Sequence, residues 1–258
     1  MMQPMVYTPA MQATGAFDNG KIIEQKPIGF PGEGSAVKRL GPLFYWAWAT
    51  ANADAHIGLH PHQGFEIMSY VTEGEGVHGD TLGTVSKIGP GGAQVMQTGS
   101  GVSHEERLGQ HAELFQIWFE PDLVQAVKRA PTYNQYEHEQ FPLVQTEGYQ
   151  AKTVIGEGAP IKLTAEVRMW DVQIQPGGSY VHTLQQGYIL AALAIRGQGF
   201  WTESDEHAHK VSYQHKDFIV GRADTNTEIV LSAHEGESTR LLLIEVPEQV
   251  DYPLYRKR

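Results

Sequence analysis

His60-Pro61-His62-Gln63-Gly64-Phe65-Glu66 and, further on, Ser103-His104-Glu105-Glu106 each place two metal-competent side chains at positions i and i+2. Alternate residues of a β-strand project from the same face. His60 and His62 therefore project together, and so do His104 and Glu106. Two such strands facing each other inside a β-barrel bring together three imidazoles and one carboxylate, a donor set suited to a divalent first-row transition metal. A single His-x-His pair would fit an exposed polar strand equally well; the second pair makes a metal site the better reading. Glu105 should face outward, and His56, in the stretch just ahead, should stay clear of the ion. Glu66 shares the parity of His62, but four residues of regular strand span roughly 13 Å. It is therefore expected behind the ligands, as are His78 and Asp80, in the supporting role that fixes the tautomer of a ligating histidine.

Outward from this centre the chain reads as short strands between glycine-rich turns. Leu43 to Trp48 is apolar and aromatic, and Trp46 and Trp48 read as core. Strands are expected at Lys21–Glu24, Phe65–Thr72, Val77–Asp80, Val85–Ile88, Ala93–Gln97, Val102–Glu106 and Leu114–Phe119. Thr8–Gly20 reads as an arm, Ala51–Leu59 as a loop, and Asp122–Ala130 as a helix capped by Asp122 and stopped by Pro131. A connector over 131–150 leads to further strands at Val154–Ile155, Leu163–Ile174, Ile189–Ile195, Phe218–Val220 and Leu241–Val246. Pro90-Gly91-Gly92 is echoed by Pro176-Gly177-Gly178, so the chain reads as an internal duplication. The all-β pattern predicts two domains, 1–140 with the metal site and 141–258 without one. In the second, His182 stands alone and reads as a hydrogen-bonded histidine. Glu206-His207-Ala208-His209 reads as a solvated loop.

The chain has 258 residues, a net charge of −11 and no cysteine. The length allows two modest cores. The missing cysteines exclude disulfides, thiolate metal sites and thiol nucleophiles, so any metal rests on nitrogen and oxygen. No basic stripe favours nucleic acid, and no apolar run suits a membrane span. Met1–Ala10 does not read as a signal peptide, so a soluble cytoplasmic protein is expected.

Taken together, His60-Pro61-His62-x-Gly64-Phe65-Glu66, Tyr70-Val71-x-Glu73-Gly74, His78-x-Asp80-x-Leu82-Gly83, Pro90-Gly91 and Gly99-x-Gly101-x-x-His104-x-Glu106 resemble the signature of the pirins, two-domain members of the cupin superfamily. The resemblance covers about residues 40 to 120, with Pro131-Thr132-Tyr133 similar to the family's connector. It implies a bicupin of two face-to-face jelly-roll barrels with one metal, held by His60, His62, His104 and Glu106. It further implies Fe(II), with Mn, Ni, Co, Cu or Zn also compatible with the donors, and a quercetin 2,3-dioxygenase-like activity on a flavonol and dioxygen. Glu106 would take the substrate's proton. The other branch of the family implies a regulatory protein that signals its metal's redox state to a protein partner. One departure is visible: Gln63 stands where the family usually has Arg, which removes a positive charge beside the metal.

Overall fold

The computed structural model describes residues 2–203 and 210–257; Glu206-His207-Ala208-His209 lies outside them. Its strands are β1 (Met2–Tyr7), β2 (Ala13–Phe17), β3 (Ile22–Ile28), β4 (Leu43–Ala51), β5 (Ala55–His62), β6 (Glu66–Glu73), β7 (Gly76–Asp80), β8 (Val85–Ile88), β9 (Ala93–Gln97), β10 (Val102–Leu108) and β11 (Glu113–Phe119). After helix α1 (Leu123–Ala126) come β12 (Thr132–Tyr136), β13 (Leu143–Gln145), β14 (Tyr149–Ile155), β15 (Arg168–Ile174), β16 (Ser179–Leu184), β17 (Tyr188–Arg196), β18 (Gly199–Glu203), β19 (Lys210–Tyr213), β20 (Phe218–Arg222), β21 (Thr227–Ala233) and β22 (Thr239–Pro247).

Two compact units result. One comprises Gln12–Gln140, Ile161–Glu166 and Asp251–Arg258; the other comprises Met1–Met11, Phe141–Pro160 and Val167–Val250. In the first, a seven-stranded sheet β12-β9-β6-β11-β4-β3-β2 accompanies a four-stranded sheet β5-β10-β7-β8. In the second, the sheets run β1-β20-β17-β22-β15-β14-β13 and β16-β21-β18-β19. Adding eleven to each strand number of the first unit gives the strand in the same place in the second. The exception is β12, whose counterpart is β1. The duplication legible in the two Pro-Gly-Gly turns is therefore carried through the whole topology. Each unit is a two-sheet jelly roll whose hydrogen-bond ladder is interrupted between the sheets, rather than a closed barrel.

The burial pattern explains these strands. β4 lies between β11 and β3 and is buried at every position except Thr50, so its sequence is apolar without alternation. β10 alternates instead, with Val102, His104, Glu106 and Leu108 turned inward. In the second unit a core forms around Trp201, Leu190, Leu231 and Leu243. His182 is buried there, with Nε2 2.6 Å from Glu245 Oε2, as a hydrogen-bonded histidine should be.

Several expectations need correction. Of the loop expected at Ala51–Leu59, Ala55–Leu59 is strand, part of β5, which pairs with β10 along most of its length. The arm at Thr8–Gly20 contains β2, paired with β3. The connector contains β12, paired with β9, and β13, paired with β14. Asp122 does cap its helix, accepting from the Val124 amide at 3.0 Å, but the helix ends at Ala126. The strand expected from Leu163 starts only at Arg168, because the preceding residues are committed elsewhere.

Glu66 holds them. It is 2 % exposed and accepts from the Thr164 amide at 2.7 Å, the Ala165 amide at 2.9 Å and Gln97 Nε2 at 2.6 Å. Its carboxylate is thus saturated by backbone and amide donors and does not support the histidines. Gly64, at φ +83°, turns the chain between β5 and β6, so the strand parity that linked Glu66 to His62 is broken. Glu66→Ala should leave the Thr164 amide and the buried Ala165 amide without their acceptor and cost on the order of 3 kcal/mol. Urea unfolding would measure that loss, and faster tryptic cleavage at the exposed Lys162 would report the freed segment.

Candidate metal centre

Antiparallel pairing assembles the site. On β10, His104 lies opposite His60 of β5 on one side and opposite Asp80 of β7 on the other, while Glu106 lies opposite His78. Directly paired residues share a face, so these side chains gather on the inner face of the four-stranded sheet. The register of β5 shifts between the partners of His104 and Glu106. Through that bulge Ile57, rather than Gly58, comes opposite Glu106, and His56 comes opposite the outward-facing Arg107. His56 is left outside, paired with Glu105 at 3.1 Å, and both behave as expected. The turns flanking the ligand strands are joined by the Gly64 amide donating to the Gly99 carbonyl at 3.0 Å. Gly99 must be glycine: at φ +47°, a Cβ would come within 2.4 Å of the Arg129 carbonyl oxygen.

Among the described residues, His60, His62 and His104 place one ring nitrogen each within 4.8 Å of one another. His62 Nε2 and His104 Nε2 are 2.9 Å apart. His60 Nδ1 lies 2.8 Å from the Gly58 carbonyl oxygen and donates to it, which leaves Nε2 as the lone-pair nitrogen of the neutral ring. Behind His104, its Nδ1 meets His78 Nδ1 at 3.4 Å, and His78 Nε2 meets Asp80 Oδ2 at 2.8 Å. Asp80 Oδ1 also accepts from the Leu82 and Thr84 amides at 2.9 and 3.0 Å. Burial alone would raise the Asp80 carboxyl, but the hydrogen bonds from His78, Thr84 and Leu82 hold it below its ordinary value. The Tyr133 ring stacks on His78 at 4.4 Å. The support expected of His78 and Asp80 is in place.

Glu106 is buried. Gln116 Nε2 donates to both of its oxygens, at 3.0 and 3.1 Å, and Ser69 Oγ to one at 3.4 Å. Gln116 is oriented by Trp118 Nε1, which donates to its Oε1 at 3.1 Å. Glu106 lies outside the trio of closely grouped nitrogens but lines the same cavity as His60 and His62. Burial pushes its carboxyl above the usual range, against the pull of His60 and His78. The cavity has a volume of about 320 Å³, and Phe17, Phe30, Tyr45 and Trp118 are among its walls. Phe30 stacks on Tyr45 at 4.2 Å, and Trp118 meets both His62 and Phe30 edge-on, at 4.8 and 5.0 Å. Gln63 is exposed and donates to the Ser100 carbonyl at 3.0 Å.

The donors fit a divalent transition metal. Burial, then His60, lowers the His62 imidazole to about 4; burial, then His62, His60 and His78, lowers His104 to about 2. Both rings are neutral, with lone pairs available, at neutral pH. A ¹H–¹⁵N titration of the metal-free protein should show neither ring protonating above pH 5; protonation near 6.5 would contradict the burial argument. The linkage to stability has a definite sign. Unfolded histidines take protons below about 6.5 while these native rings do not, so stability is drawn down as pH falls from there, towards about 4 for His62 and about 2 for His104. Glu106, raised in the native state, acts in the opposite direction.

The Pirin family model matches residues 44–119. A Pseudomonas aeruginosa protein named "Putative quercetin 2,3-dioxygenase" is 30 % identical over 155 residues, 55 % of this chain and 54 % of that one. The match thus spans about half the length of that curated relative. Among solved structures, GK1651 of Geobacillus kaustophilus superposes with a TM-score of 0.80 at 22 % identity, over 98 % of this chain and 99 % of its own. The Escherichia coli bacterial pirin YhhW in complex with nickel(II) superposes with a TM-score of 0.74 at 18 % identity, over 95 % and 99 %. These structural likenesses establish the jelly-roll cupin fold. The family motif encloses the three converging histidines, and over residues 44–119 the chain matches the pirin family of the cupins.

Proposed function

We propose that this protein is a metal-dependent dioxygenase that opens flavonol-type aromatic substrates, with His60, His62, His104 and Glu106 as the metal's protein ligands. The observation that carries this reading is the aromatic-walled cavity lined by His60, His62 and Glu106. Its volume lies in the ~300–1,000 Å³ range of small-molecule sites. A divalent metal, Fe(II) by family resemblance, would supply Lewis acidity towards a substrate hydroxyl and a partner for dioxygen. The chain's own residues supply the rest. Trp118, Phe30 and Tyr45 offer faces and edges to a planar aromatic. Glu106, raised by burial and steadied by Gln116, accepts the flavonol 3-hydroxyl proton. The apolar walls keep water from the deprotonated substrate. In the overall change one dioxygen is added, the heterocycle opens and one carbon monoxide leaves.

The regulatory alternative, a protein that signals its metal's redox state to a partner, calls for a rearranging charged surface. A concave, aromatic-walled cavity supports the enzyme instead. The test is to reload metal-free protein anaerobically with ferrous ion, add quercetin and air, and follow the loss of the flavonol's visible absorbance. Metal-dependent consumption is expected. None with iron, manganese, nickel, cobalt or copper would overturn the reading.

A further inference from the structure

The cavity has a second polar wall that the metal chemistry does not use. On β3 the inward positions include Glu24 and Lys26, 8 % and 3 % exposed. Charges are rarely placed inside a jelly roll without a partner or a task. Lys26 Nζ lies 2.7 Å from Glu33 Oε1 and 3.1 Å from Glu24 Oε2. Lys26 thus balances the buried Glu24 carboxylate while its stronger contact goes to Glu33. Glu24 lines the cavity beside Tyr45, Phe17 and Phe30, and the Tyr45 hydroxyl donates to its carboxylate. Gly15 of β2 covers the pair; a Cβ there would come within 2.7 Å of Glu24 Oε2 and 2.8 Å of Lys26 Nζ. The histidines come from β5 and β10, and this group from β3 and β4, so the cavity presents polar atoms from both sheets.

We propose that Glu24, held by Lys26 and flanked by Tyr45, is a hydroxyl-reading subsite that selects aromatic ligands bearing a free phenolic or catechol hydroxyl on the ring not held at the histidines. The inference rests on the dioxygenase reading for the cavity's occupant and extends it by naming the ring substituent that is read. A phenolic O–H can donate to the Glu24 carboxylate while its ring packs among Phe17, Phe30 and Trp118. An anionic ring substituent meets Glu24 and Glu106 and is disfavoured. Burial raises the Glu24 carboxyl against the pull of Lys26, and Glu106 adds to the rise; a hydroxyl donor relieves part of that cost.

The test is calorimetric titration of the metal-loaded full chain under strict anaerobiosis, so that no turnover intervenes. The ligands are quercetin, whose second ring carries a catechol, and galangin, whose second ring is bare. Quercetin should bind at least about tenfold more tightly, the worth of one buried charge-assisted hydrogen bond. In Glu24→Gln, quercetin should weaken by about tenfold while galangin stays within about twofold. Equal affinities in the unmodified protein overturn the subsite without any variant, and so does binding by neither flavonol. A preference unchanged in folded Glu24→Gln also overturns it. Admission of air afterwards tests the dioxygenase reading separately: preference without consumption keeps the subsite and removes the reaction.

Discussion

His104→Ala is expected to strip the protein of its metal. His104 is 2 % exposed, its Nε2 faces that of His62 at 2.9 Å, and its ring centroid is 4.4 Å from that of His60. No described residue can replace it, since its inward neighbours on β10 are apolar or already part of the site. Losing an outer hydrogen-bond partner typically costs about 10–100-fold in metal affinity. Deleting one of three converging imidazoles should exceed that range, whereas His78→Ala, which removes the support behind His104, should fall within it. Elemental analysis after equilibration with substoichiometric metal reads both, with circular dichroism confirming the fold. A His104→Ala protein that retains stoichiometric metal would place the site elsewhere.

Glu106→Gln should have the larger effect on turnover. The substitution keeps the shape that packs beside Gln116 and Ser69, but it removes the proton acceptor and sets two amides face to face. General-base contributions are about 10²–10⁴-fold, and loss of a ligand would add to this. The two causes separate when rates are normalised to measured metal content. A fall that persists at equal loading assigns the proton to Glu106, whereas a fall that disappears assigns it a ligand role only. Unchanged turnover at full loading removes it from the reaction.

The strand parity of His60, His62, His104 and Glu106 was readable because β10 keeps a regular alternation from Val102 to Leu108. The support from His78 and Asp80 was readable for the same reason, one strand over. Parity failed at Glu66 because Gly64 turns the chain, and no local signal tells a turn of that kind from a strand that continues. It was insufficient at Ala55–His62, where the bulge beside Gly58 makes the strand look irregular until its partner is known. Glu24 and Lys26 could not be found at all. The strand read at Lys21–Glu24 carries no sign of which face its charges take, and only the fold shows Glu24 and Lys26 facing in. β12 is short and polar and pairs with the distant β9, and β13 is only three residues long, so neither announces itself in its own sequence.

The placement of β1 sets an order on the birth of the molecule. Met2–Tyr7 is synthesised ahead of the other described strands, yet its hydrogen-bond partner is Phe218–Arg222. This strand must therefore wait, unpaired, while the strands between are made, because contacts this distant in the chain close late. During that interval it is an open edge able to pair with another chain. A fusion or rigid tag attached ahead of β1 would burden the last step of folding in the unit that β1 completes, and its effect would be read as yield rather than as metal content.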